Sequence, residues 1–232
     1  EVVKQEVGYN SGQFHHRGNK YLIDSCLKHG LLIPYPNGNH IVFARHCLIF
    51  ALRNDQNQIV SFYGRSILDD AKAKHYYLKD RQGLFPGYPD KETRTLILTE
   101  SVIDAQSLIE HKETLGFTDQ ALSILALYGT NGLTPEHQQA IKDLKQLNEI
   151  ILFFDGDQPG ELATEKHSMI LHQLLPDATV SKVQTPKGED INSLLQGHEP
   201  EIYNHLLKER TFLFSIEKEK PEISRDNSES QQ

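Results

Sequence analysis

Two carboxylates separated by a single glycine are the residues of this sequence whose types and spacing most plainly allow chemistry. Asp155 and Asp157 flank Gly156 and follow the uninterrupted apolar run of residues 150–154. A run of this length and composition favours a strand buried on both faces of a parallel sheet. Two like charges this close repel each other, and they become stable together when a hard divalent cation lies between them. The spacing therefore predicts a magnesium site.

A second predicted strand also ends in acids. The β-rich residues 94–99 lead into Glu100, and a predicted helix over 101–112 carries Asp104 one turn further on. The i, i+4 spacing places both acids on one side of the first helical turn. An isolated Asp-Gly pair is more often an ordinary turn. However, ligands of open α/β sheets bind at the carboxyl ends of strands, so two acid-tipped strands in βαβ order favour one shared site.

Four segments of the sequence resemble the TOPRIM domain, the fold shared by bacterial replicative primases, topoisomerases of types IA and II, and certain nucleases. These segments are E-S-V-I-D, A-L-Y-G-T, F-F-D-G-D-Q-P-G and P-K-G-E-D-I-N. The primase branch is the most similar, because residues 49–68 resemble a primase hairpin that ends in Gly-Arg, and K-A-K-H-Y-Y-L resembles the lysine-tyrosine-leucine stretch that follows it. The resemblance covers roughly residues 8–207 and is strongest to the primase-like proteins of mobile elements. One departure is Ser101, where primases usually have glycine; serine suits the start of a helix.

The resemblance implies metal-dependent nucleotidyl transfer, and most specifically the synthesis of RNA primers on single-stranded DNA from ribonucleoside triphosphates. It implies Mg²⁺ or Mn²⁺ as the cofactor and allows for a replicative helicase as a partner. Glu100, Asp104, Asp155 and Asp157 are the predicted catalytic residues, with Glu100 as general acid or base, and these four together with Asp190 are the predicted metal ligands. Two other functions stay open: a TOPRIM nuclease that uses the same acids, and a non-enzymatic, nucleic-acid-binding replication or mobilisation factor.

Two kinds of position are candidates for contact with phosphate. The resemblance implies that Arg65 and Lys74 contact nucleotide phosphates or template, where arginine binds bidentately and lysine acts as a point charge. The loop that begins Gly129-Thr130 precedes a predicted helix starting at Thr134-Pro135, and backbone amides at a helix start bind anions. A bare glycine-rich loop is an ordinary turn about as often. We predict that Gly129 and Thr130 contact the ligand because their loop follows a strand next to the two acid-tipped ones.

Charge is unevenly distributed along the 232 residues, whose formal net charge is −8. Residues 45–94 contain nine basic and six acidic side chains, whereas residues 95–208 contain seven basic and seventeen acidic ones. An acidic lobe that holds metal ions beside a basic lobe that holds phosphates is physically coherent. The small basic excess is equally compatible with a solvated surface.

Several protein classes are excluded by what the sequence lacks. No apolar run reaches membrane-spanning length and no signal peptide opens the chain, so we expect a cytoplasmic protein without a membrane partner. Cys26 and Cys47 have no C-x-x-C spacing, and this chain therefore encodes neither a disulfide framework nor a zinc ribbon. The first residue, Glu1, suggests a fragment, and a zinc-binding module of primase type would lie outside it.

The order of predicted elements indicates an α/β fold, with a TOPRIM lobe of mainly parallel central sheet and flanking helices, preceded by a smaller α+β lobe. The predicted domains are a primase-core-like subdomain over 1–92, the TOPRIM domain over 93–210, and a disordered tail or linker over 211–232. The first lobe has an irregular lead over 1–17, a helix over 18–29, a hairpin of 40–53 with 58–68, and a loop-rich connection over 69–90. The second lobe alternates strands 94–99, 121–128, 149–154 and 179–184 with helices 101–112, 134–147 and 159–174, and closes with helix 199–208.

Overall fold

A four-stranded antiparallel sheet forms the smaller lobe of the computed structural model, which describes residues 7–36, 38–117 and 121–215. The elements of this lobe are β1 (Val7–Asn10), α1 (Lys20–Lys28), β2 (Leu32–Pro34), β3 (His40–Val42), β4 (Cys47–Arg53), β5 (Ile59–Ser66) and β6 (His75–Tyr77). The strands of the sheet follow the order β1-β4-β5-β6, and β2 and β3 form a separate ribbon.

The predicted hairpin is present between β4 and β5. Its turn is closed by the Asn54 side chain, which accepts hydrogen bonds from the backbone N–H groups of Gln56 and Gln58 at 3.1 and 2.8 Å. The prediction that residues 40–53 form one continuous strand is wrong. It is broken after β3, where Ala44 and His46 take positive φ angles of 48° and 57° that no strand accommodates.

A five-stranded sheet with helices on both faces forms the larger lobe. Its elements are β7 (Thr95–Thr99), α2 (Val102–Glu110), β8 (Leu122–Ala126), α3 (Pro135–Lys142), β9 (Glu149–Phe153), α4 (Gln158–Leu174), β10 (Thr179–Lys182), α5 (Ile191–Gly197), α6 (Glu201–Lys208) and β11 (Thr211–Phe214). The strands follow the order β11-β10-β9-β7-β8; the last four are parallel, and β11 runs antiparallel to β10. This confirms the predicted α/β lobe with a mainly parallel sheet.

Alternating side chains of the central strands fill two separate apolar layers. Ile97 and Ile151 point to the layer covered by α2, α5 and α6, whereas Leu98 and Leu152 point to the layer covered by α3 and α4. All four side chains are fully buried, as continuous apolar runs in parallel strands require. This three-layer arrangement holds the carboxyl ends of β7 and β9 side by side. Within the described residues, no helix is both long enough and apolar enough to cross a membrane.

Some predicted boundaries are corrected by the structure. The predicted irregular lead contains β1, the predicted connection over 69–90 contains β6, and the third predicted helix ends at Lys142, five residues early. Helix α5 was not predicted at all, because seven residues are too few for a recognisable apolar period. Strand β11 lies within the predicted tail 211–232, where Arg210 forms an ion pair with Glu149 at 2.7 Å that fastens it to the sheet. Residues 216–232 of that predicted tail lie outside the described residues.

Two consecutive residues join the lobes through their backbones. Leu84 exchanges hydrogen bonds of 2.8 and 2.9 Å with Arg53 at the end of β4, and the Phe85 carbonyl accepts a 3.0 Å bond from Ala126 of β8. Both apolar side chains are fully buried. Phe50 of the small lobe also belongs to the same apolar cluster as Phe85, so the lobes share one core.

Candidate active site

Glu100 and Asp155 lie beside each other because the strands that carry them are parallel neighbours in register. Thr99, at the end of β7, is opposite Phe153, at the end of β9. Glu100 follows the first directly, and Asp155 comes two residues after the second. The prediction that both acids lie at one edge of the sheet is therefore confirmed.

Asp104 reaches the same edge from the first turn of α2. Ser101 is the N-cap of this helix: its hydroxyl accepts a hydrogen bond from the Asp104 backbone N–H at 3.3 Å and donates one of 2.5 Å to Asp104 Oδ2. Asp104 as a whole residue is only 3% exposed. The serine that departs from the usual primase glycine thus holds one oxygen of a predicted catalytic acid.

Asp190 is brought to the cluster by a loop that docks on Gly156. The Gly156 N–H donates to the Glu189 carbonyl at 2.8 Å, and the Gly188 N–H donates to the Gly156 carbonyl at 2.8 Å. A Cβ at position 156 would lie 2.0 Å from the Pro186 carbonyl oxygen, so this close approach requires glycine. The glycine between the two aspartates therefore serves to place a third acid.

Asp157 serves as a helix cap beside the cluster. It is the N-cap of α4, and its Oδ1 accepts a hydrogen bond from the Gly160 N–H at 2.8 Å. Asp157 does not line the cavity described next, yet its charge contributes to raising the pKa of both Glu100 and Asp155. It therefore lies within electrostatic reach of the other acids.

A cavity of about 370 Å³ opens between the acidic sheet edge and the small lobe. The acids come from one side, and β5 and β6 of the small lobe supply Arg65, His75 and Tyr77 on the other. A volume of this size lies within the range of small-ligand sites. The remaining lining residues are Glu100, Ser101, Ile103, Asp104, Tyr128, Gly129, Asp155, Asp190 and Asn192.

Burial and mutual repulsion raise the pKa of three acids. The pKa of Asp155 rises to about 8, first through burial and then through the charges of Asp104, Glu100, Asp190 and Asp157. Burial raises the pKa of Glu100 to about 7, with further contributions from Asp157 and Asp104. Burial also raises the pKa of Asp104 to about 6, against the opposing hydrogen bond from Ser101. Such clustered shifts are typical of functional sites.

Two carboxylate oxygens of the cluster have no partner in the protein. Glu100 Oε2 and Asp155 Oδ1 are buried and accept no hydrogen bond. An unpaired buried anion is costly, and a cation would satisfy both oxygens. Across residues 7–36, 38–117 and 121–215, however, no three His, Cys, Asp or Glu side chains stand in an arrangement that would hold a metal ion by themselves. The donors fit Mg²⁺ nonetheless, since it commonly takes one or two carboxylates and completes its shell with substrate phosphates and water.

The predicted phosphate-binding residues are placed differently from one another. Arg65 and Gly129 line the cavity, and Gly129 takes a φ of 83° with open space beside its Cα. Lys74 and Thr130 are not among the lining residues. The Lys74 ammonium donates to the carbonyls of Leu68 and Asp69, the latter at 2.9 Å. The Thr130 carbonyl accepts a 2.9 Å hydrogen bond from a histidine of α4.

Two lining residues of β6 did not follow from the sequence. His75 and Tyr77 alternate along this strand and therefore point to the same side, toward the cavity. The guanidinium carbon of Arg81 lies 3.9 Å from the centre of the Tyr77 ring, which adds a second cation near the cavity. The two-residue spacing of His75 and Tyr77 places both side chains on one face only if the segment is a strand, and the sequence did not predict a strand there.

The family match found by comparison with known proteins lies in the larger lobe. Residues 97–195 match the family model described as Toprim-like. A DNA primase of Neisseria meningitidis is 27% identical over 189 residues, which cover 71% of this chain and 30% of that protein. The chain thus spans about a third of the length of this curated relative.

Solved primase structures have the same fold. The structure of the Aquifex aeolicus primase, comprising its zinc-binding and RNA polymerase domains, aligns with a TM-score of 0.66 at 19% identity, over 89% of this chain and 51% of that one. The catalytic domain of a DnaG primase bound to single-stranded DNA aligns with a TM-score of 0.64 at 17% identity, over 89% and 68% of the two chains. With the family match and the edge of acids that the sheet assembles, these likenesses lead to one conclusion: residues 97–195 form a Toprim-like domain, in a chain with the fold of solved primase catalytic domains.

Proposed function

We propose that this chain is the catalytic part of a DNA primase, which joins ribonucleotides on a single-stranded DNA template by metal-dependent nucleotidyl transfer. One observation carries the proposal: acids of the sheet edge and Arg65 of the small lobe line a single cavity of about 370 Å³. A nucleoside triphosphate needs such a pairing, because metal ions must offset its charge on one side and a cation must hold its phosphates on the other. The similarity to DNA primases supports the same reading.

Mg²⁺ or Mn²⁺ is the cofactor that suits the acids. Glu100 and Asp155 would hold it through their unpartnered oxygens, with Asp104, Asp157 and Asp190 near enough to contribute charge. When bound, the ion supplies charge stabilisation for the attacking and leaving oxygens. The positive charge also favours the ionised carboxylates and so lowers the pKa of each acid from the value it has in the protein alone.

Protein side chains and backbone groups accept the proton and hold the phosphates during the transfer. The primer 3′ oxygen forms a bond to the α-phosphorus, the bond from that phosphorus to the bridging oxygen breaks, and pyrophosphate leaves. The attacking hydroxyl must lose its proton, and Glu100, at the edge where the reaction occurs, is the group we assign to accept it. Arg65 and Gly129 would hold the phosphates from the opposite side.

Single-stranded DNA and ribonucleoside triphosphates are the partners that this function requires, and a replicative helicase is a further partner that it allows. The related catalytic domain that was solved with single-stranded DNA supports the first of them. The other basic residues between positions 45 and 94, including Arg81 near the cavity, are the surface on which we place the template.

An assay with labelled ribonucleotides, a single-stranded template and Mg²⁺ or Mn²⁺ tests the proposal. We expect short RNA products that require template, metal and an intact Asp155, so that Asp155→Asn serves as the inactive control. A parallel reaction contains labelled DNA and no nucleotides. Shortening of that DNA, without RNA synthesis in the first reaction, would replace the primase with a TOPRIM nuclease. If neither reaction proceeds while single-stranded DNA still binds, the chain is a binding factor.

A further inference from the structure

Arg65, which lines the cavity, is the last of three side chains that contact one another in a row. The Tyr63 hydroxyl lies 2.9 Å from His75 Nδ1, and Arg65 Nη1 lies 2.6 Å from His75 Nε2. Tyr63 is fully buried, so one end of the row is fixed in the core. The other end carries the cation that faces the acids across the cavity.

Chemistry decides which nitrogen of His75 carries the proton. A guanidinium group has five N–H donors and no acceptor, so the nitrogen that contacts Arg65 must offer a lone pair. Nε2 is therefore unprotonated, and the neutral ring carries its hydrogen on Nδ1, where it donates to the Tyr63 oxygen. Burial and the charge of Arg65 both lower the pKa of His75 from 6.5, which keeps the ring neutral near pH 7.5.

The strand pairing explains why histidine is the residue that makes this contact. In the antiparallel register of β5 and β6, Arg65 is opposite His75 and Tyr63 is opposite Tyr77. Residues at directly opposed positions have side chains on the same face of a sheet. Lys74, one residue before, folds back onto the carbonyls of its own loop instead.

We propose that His75 is a positioning residue, which in its Nδ1–H form fixes the Arg65 guanidinium so that its free N–H groups meet a phosphate of the incoming nucleotide. The inference rests on the proposed function for the identity of the ligand, but the tautomer and the contact with Arg65 do not. Arginine owes much of its advantage in phosphate binding to a guanidinium fork that is already oriented. His75 supplies that orientation from the buried Tyr63.

The chain contains a matched arrangement away from the cavity, which provides a control. Arg45 Nε donates to His46 Nε2 at 2.8 Å, and the Tyr9 hydroxyl lies 3.3 Å from His46 Nδ1. None of these three residues lines the cavity. His46 has a φ of 57°, a conformation that asparagine tolerates, so His46→Asn removes the contact without backbone strain.

The first test is the tautomer of His75 in the intact chain. A long-range ¹H–¹⁵N correlation spectrum at pH 7.5, with His75 assigned by its loss in His75→Gln, distinguishes the protonated from the unprotonated ring nitrogen. We expect Nδ1–H with an unprotonated Nε2. The Nε2–H tautomer would overturn the inference, because that nitrogen could not accept from Arg65.

The second test compares two substitutions that differ in reach. The amide of glutamine extends to about the position of Nε2 and keeps an acceptor for Arg65, whereas the shorter asparagine amide ends near Nδ1. Binding of ATP with Mg²⁺, measured by calorimetry, should weaken roughly two- to tenfold in His75→Asn, as expected when one hydrogen bond is removed, and much less in His75→Gln. His46→Asn should bind as the wild type does, and thermal unfolding confirms that each variant is folded.

The outcomes separate the inference from the function on which it rests. If the wild type binds ATP and His75→Asn binds equally well, the positioning role is overturned and the proposed function stands. Equal weakening in both His75 variants would mean that the ring acts by its shape, which also overturns the role. A wild type that binds no nucleotide overturns the proposed function and the phosphate role together, while the spectrum still decides the tautomer.

Discussion

Replacing Asp155 by asparagine should make the metal-free protein more stable at alkaline pH. The carboxyl pKa rises from 3.8 to about 8 on folding, because the group is buried among four other acids. Below pH 3.8 the folded and unfolded chains are both protonated at this position, and the protonated fold has its full stability. As the pH rises toward 8 the unfolded chain releases the proton first, so the free energy of unfolding falls. Asparagine carries no such charge and avoids this destabilisation.

The magnitude follows from the size of the pKa change. A tenfold change in proton affinity corresponds to about 1.4 kcal/mol, so the full rise to about 8 sets an upper bound of about 6 kcal/mol. Asp155 is partly exposed, and solvent screening reduces the expected gain to roughly 2 kcal/mol at pH 8.5. For a chain of this size, that gain corresponds to an increase in Tm of about 4–8 °C. At pH 5 the folded wild type is still protonated at Asp155 but the unfolded chain has already released the proton, so only about a third of this gain should be present.

Urea denaturation with EDTA at pH 5 and pH 8.5 measures this difference. Asp177→Asn, which changes an exposed acid in the turn before β10, is the matched control and should show no pH-dependent gain. Saturating Mg²⁺ should reduce or reverse the advantage of Asp155→Asn, because the ion stabilises the chain that retains its ligand. A wild type that is the more stable protein at pH 8.5 without metal would refute the account of a repulsive acid cluster.

Three further substitutions test other parts of the site. Glu100→Gln should abolish primer synthesis while single-stranded DNA affinity stays within about threefold, because it removes a proton acceptor and nearly preserves shape; normal primer extension would show that Glu100 has no catalytic role. Arg65→Ala should weaken the binding of ATP with Mg²⁺ and reduce its salt dependence, and Lys74→Ala should change both less because its ammonium is held by loop carbonyls; a larger effect at Lys74 contradicts this placement. Ser101→Ala should cost about 1 kcal/mol of stability in denaturant unfolding because α2 is left without its cap, and an unchanged midpoint would mean that the cap is redundant.

The acid-tipped strands could be predicted from sequence because their signals are local. An apolar run followed by Asp155 marks a buried strand and its end, and parallel topology then brings neighbouring ends together. The boundaries of β7, β9 and α4 lie within one residue of the prediction for the same reason. Strand β11 could not be predicted in this way, since the pairing of Arg210 with Glu149 spans 61 positions.

Which residues form the basic side of the site could not be fully predicted, because this depends on how β5 and β6 pair. The resemblance predicted phosphate contacts for Arg65 and Lys74; Arg65 lines the cavity, but on β6 the lining residue is His75, the neighbour of Lys74. Which of two adjacent side chains faces a cavity changes with a shift of one residue in pairing. That register is set by β5, and β6 is a strand of three residues with little propensity signal of its own.

The backbone connection made by Leu84 and Phe85 has a consequence for how ligands enter. Hinge closure, which many two-lobed enzymes use to capture substrates, would require breaking the bonds of these residues to Arg53 and Ala126 and opening a shared apolar core. The cavity is thus a preformed cleft, and a nucleotide that enters it meets groups already in place. In the proposed primase reaction, selectivity for the correct nucleotide would then come from pairing with the template and from side-chain rearrangement, without the additional discrimination that a closing domain supplies.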